Sequence, residues 1–154
     1  MKRLLISTIL LLCIVAFCSE RETIRDAHGK VVGTATTDGN KTVYRDAHGK
    51  VTGTATTNGN KTTYRDSSGR MTGTATENGN RTTFRDSSGK TTGTATTNGN
   101  RTTFREATGA SVGSSTSTGN RTTYRDAQGR PTGTTTGSGS SASQTPPILN
   151  PTSK

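Results

Sequence analysis

The chain has 154 residues and a formal charge of +10, yet only 25% of it is hydrophobic and 4% aromatic, with no Trp and 19 Gly. Such a composition excludes a thick globular core and favours anionic partners such as lipopolysaccharide, teichoic acid, acidic polysaccharide or nucleic acid. Both cysteines, Cys13 and Cys18, fall in the first eighteen residues, so no disulfide staples the remainder.

Met1 to Cys18 is a leader: Lys2 and Arg3 precede an apolar run from Leu4 to Phe17, broken only by Ser7 and Thr8. A basic head and a short apolar run read as a secretory signal peptide, too short for a comfortable membrane span. Export is expected, with about +8 of charge left once Lys2 and Arg3 depart. Val15-Ala16-Phe17-Cys18 looks like a lipoprotein cleavage box with Phe where a small residue normally precedes the Cys. Two outcomes follow: a soluble secreted or periplasmic product, or a lipid anchor on Cys18, the one route to a membrane.

From residue 21 to 140 the chain is one theme repeated. Arg21–Asn40, Lys41–Asn60, Lys61–Asn80, Arg81–Asn100, Arg101–Asn120 and Arg121–Ser140 align without insertion as six units of twenty residues, the mark of a repeat architecture. Gly29 to Gly129, Gly33 to Gly133 and Gly39 to Gly139 are fixed columns, as is the arginine column Arg25 to Arg125. An acidic residue always follows that arginine, and the large apolar column holds Ile24, Tyr44, Tyr64, Phe84, Phe104 and Tyr124.

Within a unit, Lys41–Arg45 and Lys50–Thr56 are rich in Thr, Val and Tyr and suit pleated strands. Asp-Ala-His-Gly and Thr-Asn-Gly-Asn separate them, and Asn-Gly favours a type I′ hairpin turn. About twelve short strands are expected, in an all-β antiparallel meander forming a single-layer or curled sheet with open outer edges for self-association. A two-residue Asn58-Gly59 loop puts Gly53 opposite Tyr64, and keeping every aromatic on one face requires an even number of residues in the other turn. Tyr44 then pairs with Val51 and Thr42 with Gly53. One face carries Thr42, Tyr44, Val51, Gly53 and Ala55; the other carries Lys41, Val43, Arg45, Lys50, Thr52, Thr54 and Thr56. A three-residue turn with a bulge at Gly49 would flip alternate units. The alternative fold is a parallel β-solenoid, which would stack six arginines about 4.8 Å apart.

Asp-x-x-Gly-[Lys/Arg] followed by Gly-Asn-[Lys/Arg]-Thr-Thr-[Tyr/Phe], as in Arg65-Asp66-Ser67-Ser68-Gly69-Arg70 and Gly79-Asn80-Arg81-Thr82-Thr83-Phe84, resembles the YD-repeat, or Rhs, family. The arginine column stands where those repeats carry their name-giving Tyr. The resemblance implies a β-sheet surface or envelope role, not an activity.

Candidate chemistry is sparse. His28 and His48 hold a turn position occupied elsewhere by Ser68, Ser88, Thr108 and Gln128, which marks them as solvated turn residues rather than ligands or bases. The Arg-Asp pair recurs in five units and is Arg105-Glu106 in the other, whereas a catalytic site is one convergence of unlike groups. No enzyme activity, cofactor or metal site is expected, and no specific nucleic-acid partner. The Asn-x-Thr triplets at Asn40, Asn60, Asn80, Asn100 and Asn120 fit a glycosylation pattern but read as turn chemistry. Residues 141–154 are a Ser/Pro-rich tail expected to be disordered.

The expected function is therefore a non-enzymatic exported repeat protein of the bacterial envelope or exterior. It would bind anionic polysaccharide, an envelope component or a protein partner through a basic face of Lys41, Arg45, Lys50, Lys61, Arg65, Arg70, Arg81, Arg85 and Lys90. The alternative is an ice- or surface-binding protein using Thr-x-Thr pairs such as Thr54 with Thr56 on a flat sheet.

Overall fold

A computed structural model describes residues 19–137; the segment expected to be a leader, with Cys18, and the Ser/Pro-rich tail lie outside the described residues. Twelve strands follow one another: β1 (Glu20–Asp26), β2 (Val31–Asp38), β3 (Lys41–Asp46), β4 (Val51–Asn58), β5 (Lys61–Asp66), β6 (Met71–Asn78), β7 (Arg81–Asp86), β8 (Thr91–Asn98), β9 (Arg101–Glu106), β10 (Ser111–Thr118), β11 (Arg121–Asp126) and β12 (Pro131–Gly137). Each pairs antiparallel with the next, as the period-ten turns predict, and this excludes the parallel solenoid. The meander does not stay open, however: β1 pairs with β12 and the sheet closes into a barrel.

Closure follows from the register. Tyr44 faces Gly53, and Gly53 in turn faces Asp66, two residues beyond Tyr64, so each unit adds a stagger of two residues. At the seam Tyr124 faces Gly133 and Gly133 faces Asp26, two residues beyond Ile24, which is the same step again. Since the ring returns to its start through six equal steps, neighbouring units are related by one sixth of a turn, and every column of the sequence becomes a ring of the barrel. Twelve strands with a stagger of about twelve residues tilt about 35° from the axis at a backbone radius of roughly 11 Å. Closure also removes the free edges that the meander would have left for self-association.

The parity expected from the sequence holds, but both registers differ. The two-residue loop is Gly59-Asn60, since Asn58 pairs with Lys61. Gly59 has φ 59° and among the described residues no non-glycine residue has positive φ, which makes the turn type II′ rather than I′. At the other end Gly49, at φ 83°, donates its N–H to Asp46 O at 3.1 Å while Asp46 N–H donates to Lys50 O at 2.9 Å. This is a three-residue loop, the odd turn that would flip alternate units. A bulge cancels it: Arg45 pairs with Val51 but Tyr44 with Gly53, leaving Thr52 as the extra residue. Tyr44 therefore lies opposite Gly53 rather than Val51, and Val51 is half-buried beside Arg45 instead of joining the aromatic face.

Inside the barrel the aromatic ring alternates with a ring of small residues. Tyr44, Tyr64, Phe84, Phe104 and Tyr124 pack with Ala35, Ala55, Ala75 and Ala95, and Phe104 is only 1% exposed. Six large positions directed at a common axis close a lumen that one aromatic per twenty residues could not fill in a flat sheet. The Gly33 to Gly133 column has a steric reason as well: a Cβ on Gly93 would lie 2.5 Å from the carbonyl oxygen of Arg105 in the next unit, and one on Gly133 would lie 2.6 Å from that of Arg25 across the seam. A side chain in this column would thus strike the backbone of the next unit.

Candidate functional site

All basic residues among those described, Arg21 through Arg130, are exposed, and none reaches the lumen. Strand alternation does this for Lys41 and Arg45, which flank the buried Tyr44 side of β3, while Lys50, Arg70 and Lys90 end the three-residue loops. The nine cations singled out from the sequence are all on the outside, but they form rings around a closed wall rather than one flat face. The same columns contain Arg25 and Arg121, which adjoin the seam.

The arginine column is partly committed to the turns. One guanidinium N–H of Arg45 donates to Gly49 O at 2.9 Å, and Arg65, Arg85 and Arg125 repeat the bond to Gly69, Gly89 and Gly129 at 2.8, 3.0 and 2.8 Å. A guanidinium has five N–H donors, so four remain for an external acceptor. Each arginine is thus held over its loop as a pre-positioned outward cation.

The acidic column behaves differently. Asp46 Oδ1 accepts N–H bonds from His48 at 2.9 Å and Lys50 at 3.0 Å, and Asp26, Asp66, Asp86 and Asp126 accept equivalent pairs. These aspartates shape the loops and are half-buried, not solvated counter-charges to the arginines. The Ser88 hydroxyl, helped by the N–H groups of Lys90 and Ser88, holds the Asp86 carboxyl below its usual range. Asp126 is also lowered: desolvation opposes ionisation, but the Arg130 N–H and guanidinium and the Gln128 N–H outweigh it. Arg130 Nε and Asp126 Oδ2 form an ion pair at 2.8 Å, and its exposed geometry makes it weak.

The asparagine column joins units. Asn40 O accepts from Thr57 N–H at 2.9 Å, and Asn40 Nδ2 donates to Thr57 O at 3.2 Å; Asn60 does the same with Glu77, and Asn100 with Ser117. Thr57 and Thr62 hydroxyls meet at 2.9 Å beneath this clasp. At the seam the corresponding residues are Gly137 and Glu22, and the Glu22 carboxylate is buried inside the barrel in a position that Thr fills in the other units.

Chemically, then, the wall offers exposed guanidinium and ammonium groups separated by Thr hydroxyls, with the arginines of the loop column held in place. His28 and His48 are exposed loop residues, and among the described residues no three His, Cys, Asp or Glu side chains are grouped to hold a metal ion. Asp26 and His28 do line a groove with Arg25, Arg121, Thr123, Thr134 and Thr136 at the seam. The sequence signal for Arg25 and Arg121 was membership in the same columns as the cations of the middle units.

No family model matches the chain, and no curated protein matches it. Among solved structures it is similar to the X-ray structure of a protein from Arabidopsis thaliana, at 10% identity and a TM-score of 0.39, over 78% of this chain and 82% of that one.

Proposed function

We propose that this chain is a non-enzymatic exported repeat protein whose barrel wall binds anionic glycans of the cell envelope or exterior. The observation that carries the reading is an asymmetry of exposure: every described Lys and Arg is exposed, whereas five of the six loop carboxylates are half-buried and the five aspartates accept backbone hydrogen bonds. The cations therefore stand further out on the wall than the aspartates beside them and are the charges that an external polyanion meets first. Identical chemistry in every unit suits a polymer that repeats along its own length, since neighbouring contacts add by effective concentration rather than by one tight pocket.

The ice-binding alternative is less well supported. It needs a flat array of Thr-x-Thr pairs, whereas Thr54 and Thr56 lie on a curved wall, with Thr54 opposite Arg65 and Thr56 opposite Lys41.

Retention on an immobilised polyuronide tests the proposal. The exported chain is expected to bind at low ionic strength and elute with salt, and the triple variant Lys50→Gln, Arg70→Gln, Lys90→Gln is expected to elute earlier. Equal retention of the two, or no retention of the parent, would remove the basis of the reading.

A further inference from the structure

The cationic rings are not equivalent everywhere, because what lies between them changes from unit to unit. Val31, Val51 and Met71 stand just beyond the loop in the first three units, but the corresponding residue is Thr91, Ser111 or Pro131 in the last three. Two grooves open on the wall among these later units. One, of about 460 Å³, lies over Thr91 and Thr92, and its charged residues are Asp86, Glu106 and Lys90. The other, of about 430 Å³, lies at the seam over Pro131 and is lined by Arg25, His28, Arg121, Thr123, Thr134 and Thr136. Its single carboxylate, Asp26, already accepts the N–H groups of His28 and Lys30 at 2.9 and 3.0 Å.

The register gives the layout of this second groove. Arg25 faces Thr134, which faces Thr123; Arg121 faces Thr136, which faces Thr23. The two arginines therefore stand at opposite corners of a patch that spans three strands and is two residues long, on the order of 12 Å apart at their Cα atoms. Between them runs a row of threonine hydroxyls. Arg25 is steadied by its bond to Gly29 O at 2.9 Å and keeps its other donors free to face outward.

We propose that the seam groove is a saccharide-binding site for two neighbouring residues of an acidic polysaccharide. The guanidinium groups of Arg25 and Arg121 would each hold one carboxylate or sulfate, and Thr123, Thr134 and Thr136 would bond the sugar hydroxyls between them. Charge-assisted bonds from arginine are the strong ones, and the planar fork suits both anions. The hydroxyl row selects a polyol rather than a bare polyanion such as polyphosphate. This site rests on the glycan-binding reading above and locates where on the ring that binding is tightest.

The test is calorimetric titration of the exported chain with an oligogalacturonate, and in a second arm with a sulfated oligosaccharide, which tells carboxylate from sulfate recognition. Three variants are compared: Arg121→Glu in the groove, Arg81→Glu at the matching column position in another unit, and Thr134→Val. The first two change the charge identically. Arg121→Glu is expected to weaken binding at least about tenfold and Arg81→Glu less than about threefold, while Thr134→Val should weaken it several-fold at constant charge. Arg121→Gln covers the case in which the reversal disturbs the fold, which circular dichroism reports. Equal losses at Arg121 and Arg81 with no effect at Thr134 would overturn the groove and leave diffuse glycan binding standing. Failure of the parent chain to bind either probe would overturn both.

Discussion

Replacing Gly93 by Ala isolates the contact that lets one unit follow the next around the ring. The added Cβ would stand 2.5 Å from Arg105 O, 3.5 Å from the carbonyl carbon and 3.7 Å from Glu106 Cα. An ordinary Cβ contact needs nearly 1 Å more, and the obstacle is the backbone of β9, which is paired on both sides by β8 and β10. Gly93 has no positive φ, so alanine meets no conformational penalty there and the cost is steric. Overpacking of this kind costs about 1–3 kcal/mol, offset by the ~0.4–1 kcal/mol that alanine contributes by restricting the unfolded chain. A net loss of about 1–2 kcal/mol corresponds to a fall in Tm of roughly 4–8 °C for a barrel of this size. Thermal unfolding followed by circular dichroism reads it directly. Gly89→Ala is the control: nothing lies within 4 Å of its Cβ, but φ is +87°, so its cost of about 1 kcal/mol is purely conformational. An unchanged or raised Tm for Gly93→Ala would refute the close approach of neighbouring units.

Three further outcomes are expected. Asp86 has a lowered folded pKa, so its contribution to stability is present above the unfolded value near 3.9 and is lost as pH falls through the lower folded value; Ser88→Ala should move its NMR titration back toward the ordinary range. Tyr124 is raised by burial, against the Thr135 hydrogen bond and with smaller help from Glu22 and Tyr44, so stability should fall as pH rises from the unfolded value of about 10 through the folded one, read as tyrosinate absorbance appearing late and together with unfolding. Asn60→Ala removes the Nδ2 bond to Glu77 O at 3.1 Å but leaves the backbone half of the clasp, and denaturant melts should show a loss of about 0.5–1.5 kcal/mol.

Local features were readable and the global one was not. Turn glycines, Thr-rich strands and one aromatic per unit gave twelve antiparallel strands with the rings on one face and the cations on the other, because each depends on residues within ten positions. The turn types were harder: Asn58-Gly59-Asn60-Lys61 accommodates either a type I′ turn at Asn58-Gly59 or a type II′ turn at Gly59-Asn60, and both preserve parity. The odd loop at Gly49 and the bulge at Thr52 cancel, so the alternation came out as expected although neither irregularity was expected. Closure depends on the sum of six two-residue staggers, which no single unit displays. Reading Tyr44 against Val51 instead of Gly53 also misassigned Val51 to the core. The exposed cations were legible as columns, but the groove at the seam was not, since Arg25 and Arg121 are 96 residues apart and flank one groove only when β1 reaches β12.

The seam is where the account is most exposed. Thr23 and Thr136 face each other across it, and antiparallel partners lie about 4.5–5.5 Å apart at Cα, within the span of a disulfide. Oxidation of a Thr23→Cys, Thr136→Cys chain, with Cys13 and Cys18 changed to Ser, should give a monomer carrying one internal disulfide between the two engineered cysteines. Free thiols or disulfide-linked dimers in place of that product would mean that the twelve strands do not close on themselves.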